Sequence, residues 1–103
     1  MPKSQPDPKR FRDNPQEISA FLTAAFAAND FAEVLKALNL VLRGQNVKAL
    51  AKRAGFRREA LYKSFGGEVN PHLNRVMELL HALGVHIQIA PIPTSKVRGR
   101  IRN

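Results

Sequence analysis

Residues 46–66 read N-V-K-A-L-A-K-R-A-G-F-R-R-E-A-L-Y-K-S-F-G, and the fold follows from how that stretch divides at its first glycine. Before it, Val47, Leu50, Ala51 and Ala54 recur at i, i+3, i+4 and i+7, the spacing of one helical face. Gly55 then stands where a helix is stopped by a residue able to take positive φ. After it, Phe56 opens a second segment whose inward positions are Ala60, Leu61 and Phe65. Ala51 is small where two helices must approach closely, and Leu61 lies ten residues on, where it closes the contact. That is the spacing of a helix-turn-helix, whose second helix enters the DNA major groove. The outward side of that second helix carries Arg57, Arg58, Glu59, Tyr62 and Lys63, the candidate base-reading residues. Two alanine-rich helices with a solvated basic face would also be written this way, so the rest of the chain has to decide.

Charge narrows the choice. The chain of 103 residues carries 17 Lys and Arg against 8 Asp and Glu. The first 45 residues hold six basic and five acidic groups, residues 46–75 seven and two, and residues 76–103 four and one. The excess therefore lies on the two motif helices and the C-terminal tail, where counterion release and steering attract a polyanion. Nucleic acid fits best; an acidic protein or a membrane surface also fits the sign. The length suits one small domain with a modest core. With no cysteine there is neither a disulfide framework nor a thiolate metal site. No run approaches the roughly 18 apolar residues of a membrane span, and M-P-K-S-Q-P-D-P-K-R lacks the apolar stretch of a signal peptide. A cytoplasmic protein is expected.

Working outward, residues 1–13 are polar, with prolines at 2, 6 and 8, and read as a flexible arm. Asn14-Pro15 starts a helix, with Asn14 as N-cap and Glu17 completing a capping box. It runs to Ala28 with Ile18, Phe21, Leu22, Ala25 and Phe26 on one face, the spacing of core packing. Asp30 caps a second helix to about Arg43, burying Phe31, Val34, Leu35, Leu38, Val41 and Leu42, and Gly44 ends it. Asn46 caps the first motif helix. Beyond the motif, G-G-E-V-N-P-H is a turn-rich connection. Asn70-Pro71 repeats the cap-then-proline signal for a fifth helix that takes Leu73, Val76, Met77, Leu79, Leu80 and Leu83 inward and stops at Gly84. Asn70, His72, Asn74 and Arg75 surround its first turn, where free amides hold a phosphate or the side chains merely cap.

Val85-His86-Ile87-Gln88-Ile89 alternates apolar and polar, as a half-buried strand does. A lone strand needs a partner edge, and no second strand is legible. Val85, Ile87 and Ile89 are therefore expected to pair with another chain, either a second copy or a sheet edge on a different protein. Residues 92–103 form a basic tail, fit for phosphate contact or simply for solubility. The expected layout is thus an arm (1–13), one domain (14–91) and this tail. An enzyme is not expected. His72, His81 and His86 offer no i, i+4 ligand pair, and Ser4, Ser19, Ser64 and Ser95 have no nearby base. No glycine-rich phosphate loop follows a strand, so no cofactor, metal or catalytic residue is assigned.

The assembled pattern resembles a known family. R-G-Q-N-V-K-A-L-A-K-R-A-G-F-R-R-E-A-L-Y-K-S-F (43–65), then G-x-V-N-P (67–71), then L-x-x-V-M-E-L-L-H-A-L-G-V-H-I (73–87) are similar to the addiction-module antidote proteins. These are small HigA-like antitoxins of the lambda-repressor-like XRE/Cro helix-turn-helix superfamily. The resemblance spans about residues 10–90, including F-L-T-A-A-F-A-A-N-D at 21–30; Leu61-Tyr62-Lys63 and Asn70-Pro71 are its more specific points. It implies an all-α, five-helix DNA-binding domain, a homodimer that represses its own operon on double-stranded operator DNA. It also implies a RelE/ParE-like toxin neutralised by direct binding. By position, Arg57, Arg58, Glu59, Tyr62 and Lys63 would read bases, and Asn46, Lys48, Lys52, His72 and Asn74 would face phosphates. Two positions depart: Arg57 replaces the usual Ser or Thr cap, and Val47 replaces a glutamine that braces the backbone contact in many lambda-like repressors. A free-standing or prophage-type repressor without a toxin is the alternative.

Overall fold

A computed structural model describes residues 6–93. Five α-helices follow a one-turn 3-10 helix at Pro8–Phe11: α1 (Pro15–Ala27), α2 (Phe31–Arg43), α3 (Val47–Ala54), α4 (Arg58–Phe65) and α5 (Leu73–Ala82). No strand occurs among the described residues. The order of helices is the one expected, and the departures fall at their edges.

Local chemistry sets most of the boundaries. Asn14 Oδ1 accepts from the Glu17 amide at 3.3 Å, and Pro15 opens α1. Only that half of the capping box forms, because the Glu17 carboxylate turns instead to Arg10. Asp30 caps α2 through the Ala32 amide, and Asn46 caps α3 through the Ala49 amide. Each such cap contributes ~1 kcal/mol. The expected cap at Asn70 is not used. Helix α5 begins two residues later, with His72 in the N-cap position and no side-chain hydrogen bond there.

The core is built on α2. Leu38, Val41 and Leu42 are fully enclosed, with Ile18 and Leu22 of α1 on one side and Leu50, Leu61, Phe65, Val76 and Leu79 contributed by the later helices. Side chains of this size each stabilise the fold by ~1.5–3 kcal/mol when fully buried. The N-terminal turn belongs to this core in a way the sequence reading did not anticipate. Phe11, placed in a flexible arm, is 1% exposed and lies 4.9 Å from the Phe21 ring. Gln45, the one buried polar residue among those described, donates to the carbonyls of Phe11 and Val41, while Arg12 donates to the Gly44 carbonyl at 2.8 Å. The turn is thereby fastened to the α2–α3 corner. A side chain at Gly44 would collide with the Pro8 carbonyl, so the glycine serves a close approach.

Three residues expected inside are outside. Phe31 is 39%, Leu73 63% and Met77 53% exposed. All three sit at the margin of an apolar stripe, and periodicity does not say where such a stripe meets water. The expected strand is also absent: Val85 donates to the Leu80 carbonyl at 3.0 Å, and beyond it residues 86–93 run without a ladder. A strand has no free energy of its own, and this segment has no edge to join within the described chain. Residues 1–5 and most of the basic tail, 94–103, lie outside the described residues.

Candidate nucleic-acid interface

The turn between α3 and α4 is the geometric origin of the site. Gly55 adopts φ 77°, a left-handed conformation, and the Phe56 amide donates to the Ala51 carbonyl at 2.9 Å, closing the end of α3. Phe56 then stacks parallel to Phe65, with centroids 6.4 Å apart, which holds the start of α4 against its end. Ala51 and Leu61 are both buried where the two helices meet, as their spacing predicts. On the far side of the unit, Arg53 donates to the Ala82 carbonyl and the Arg75 guanidinium lies 4.6 Å from the Phe56 ring. These contacts fix α3, α4 and α5 relative to one another.

With Leu61 and Phe65 turned inward, the opposite side of α4 faces solvent. Arg57, Arg58, Glu59, Tyr62 and Lys63 are all exposed. Neither Arg57, Arg58 nor Lys63 forms an ion pair among the described residues. Lys48 and Lys52 are exposed on α3. Asn46 commits its oxygen to the cap, which leaves its amide NH2 as the group able to meet an anion. His72 and Asn74 are exposed at the start of α5. Arg75, beside them, is engaged with Glu78 at 3.3 Å as well as with the Phe56 ring. Val85 is half-buried against the core, whereas Ile87 and Ile89 are exposed, Ile89 at 94%.

Arg57 occupies the N-cap of α4 without making a cap bond. The amides of the first turn are left to solvent at the positive end of the helix dipole, next to two guanidinium groups. The arrangement concentrates donors and positive charge at one point, at a cost to the helix. Arg57→Thr is therefore expected to stabilise the fold by ~0.5–1 kcal/mol, a rise in Tm of a few degrees. The same variant should bind polyanions less tightly. A lower Tm would show that the arginine holds the turn by other means.

One feature of the surface was missed from sequence. A groove of about 550 Å³ runs along α2, bounded by Phe31, Leu35, Asn39 and Arg43 and by Phe65 and Gly67 across from them. Asn39 spans it, donating to the Phe65 carbonyl at 3.1 Å. The only signal was Asn39 itself, a polar residue within an otherwise apolar face of α2.

An all-helical domain with two short helices joined at a left-handed glycine, and cations along the second, fits the helix-turn-helix class of proteins. The comparisons are narrower. A family model described as "Probable addiction module antidote protein" matches residues 4–91, and the chain belongs to that family. An "Uncharacterized protein" of Haemophilus influenzae (strain ATCC 51907 / DSM 11121 / KW20 / Rd) is 32% identical over 74 residues, which cover 72% of this chain and 76% of the relative. No solved structure matches the chain significantly. No helix among the described residues is long and apolar enough to cross a membrane.

Proposed function

We propose that the chain is the antitoxin of a type II toxin–antitoxin module: a sequence-specific DNA-binding autorepressor that also neutralises a RelE/ParE-like toxin by direct binding. Its family is one of antidote proteins, which supports an antitoxin role and a toxin partner of some kind. The observation that carries the DNA half is the exposed row on α4. It is held outward by a buried Leu61, within the part of the chain where the positive charge is concentrated.

The mechanism follows from the geometry of that row. Two copies related by a two-fold axis place their α4 helices in successive major grooves about 34 Å apart, on a near-palindromic site. Arg57 and Arg58 at the N-terminus of α4 donate in pairs to guanine O6 and N7, each worth ~1–3 kcal/mol of discrimination. Glu59 accepts from a cytosine amino group, and Tyr62 and Lys63, one turn on, reach a thymine methyl and the backbone. Lys48 and Lys52, with Asn46, His72 and Asn74, face phosphates and set affinity and salt dependence more than sequence preference. The chain thus acts by binding and not by catalysis, in the cytoplasm.

Two measurements test the two halves. DNA from upstream of the chain's own gene is expected to be shifted with a dissociation constant of ~10⁻⁸ M or tighter, about 10³-fold below that for random DNA. The product of the adjacent gene should co-purify with the full chain. Equal affinity for both DNAs overturns the repressor reading; a lone gene whose product binds no neighbour overturns the antitoxin reading.

A further inference from the structure

We infer that two copies of this chain associate through α5, with Leu73 and Met77 at the centre of the contact and Ile87 and Ile89 extending its edge. The proposal rests on the distribution of exposed apolar groups. Eight large hydrophobic side chains are exposed among the described residues, and six of them, Val69, Leu73, Met77, Ile87, Ile89 and Ile92, lie between residues 69 and 92. Clustering of that kind marks a contact surface, whereas single exposed leucines do not. Leu73 and Met77 stand one turn apart on the same face of α5, with Ala54 and Ala82 bordering the shallow depression beside Met77.

Charge identifies the occupant as a second copy. Each chain carries a net +9, so two copies repel wherever their basic surfaces meet. Residues 66–93 are the exception, with Glu68 and Glu78 against Arg75, a net of −1, and Arg75 is already paired with Glu78. This stretch is where like chains approach without opposing cations, and apolar groups on a two-fold axis are complementary to themselves. An acidic partner would be drawn instead to α3 and α4. Area is the other constraint. A 10-residue helix is ~15 Å long, too short by itself to supply the ~800 Å² per partner of a stable interface. The extended segment after Val85 supplies the remainder, which gives a role to isoleucines that no strand within the described chain uses. None of the outward residues of α4 lies on α5, so the contact leaves them uncovered.

The inference deepens the two-fold arrangement of the DNA-binding reading, but its test uses no DNA, so the two fail separately. Light scattering on the full chain at about 100 µM should give twice the 11.5 kDa of one chain. Leu73→Glu and Met77→Glu should each raise the dimer dissociation constant roughly 100-fold or more by placing a carboxylate in the contact. The circular dichroism of the monomer should not change, since both side chains are already exposed. Should either glutamate variant lose helix signal, Leu73→Ser and Met77→Ser make the same comparison. Phe31→Glu, on the α2 groove, should leave the mass unchanged. A wild-type chain that stays monomeric, a dimer indifferent to Leu73 and Met77, or one dissolved only by Phe31→Glu overturns the inference. So does a dimer that responds to Ile87→Glu and Ile89→Glu alone.

Discussion

Arg58→Ala should reduce the ratio of operator to random-DNA affinity by roughly 5- to 150-fold, the equivalent of ~1–3 kcal/mol. Affinity for random DNA should fall only by what one lost charge costs. The residue is exposed, opens α4, and forms no ion pair among the described residues, so its removal disturbs no contact of the fold. Lys52→Ala supplies the contrast. It removes a charge from α3 at a distance from the base-reading row, so it should weaken every sequence alike and lower the slope of log K against log salt by about 0.9. Binding titrations of both variants at several salt concentrations separate the two roles. An Arg58→Ala protein that keeps its operator preference would take base reading away from the N-terminus of α4.

Leu61→Ala is expected to be the most damaging single change to the fold. Leu61 is fully buried, and its side chain closes the interface of α3 with α4. Truncation there costs ~2–5 kcal/mol through lost transfer free energy and the cavity left behind. Small domains have only ~5–15 kcal/mol in total. For a chain of this size the midpoint of thermal unfolding should drop by roughly 10–30 °C. Tyr62→Ala, the next residue along, is half exposed and should change stability by no more than ~0.5 kcal/mol while weakening DNA binding. If the two variants melted together, the division of α4 into an inner and an outer side would be wrong.

That division was the most legible feature of the sequence, because it rests on residues whose chemistry is local. Gly55 is left-handed because the turn needs it, Asn46 caps because its side chain reaches the third amide, and Ala51, Leu61 and Phe65 follow the helical repeat. What stayed hidden depends on partners that are not local. Phe11 stands alone in a polar stretch with no repeat to betray it, and its burial is legible only once the α2–α3 corner is in place to receive it. Phe31, Leu73 and Met77 obey the period of a buried face, yet they fall just beyond the reach of their neighbours. The alternation at Val85–Ile89 described apolar groups correctly and a strand incorrectly, since a pattern of side chains does not supply the backbone partner that a strand requires. Asn70-Pro71 carried a helix-start signature, but α5 begins at Leu73, and Asn70 borders the α2 groove instead. Placement of the candidate site was thus readable where α3 and α4 pack on each other, and unreadable where an outside surface is concerned.

Methylation interference on DNA from upstream of the gene tests the base-reading row most directly, because dimethyl sulfate modifies guanine N7 in the major groove, the atom the arginines are argued to grip. Binding by the wild-type chain should be blocked by methylation at one or two guanines in each of two half-sites, about 10 base pairs apart. One of those positions should become indifferent in Arg58→Ala. Binding unaffected by N7 methylation anywhere in the site would contradict the account.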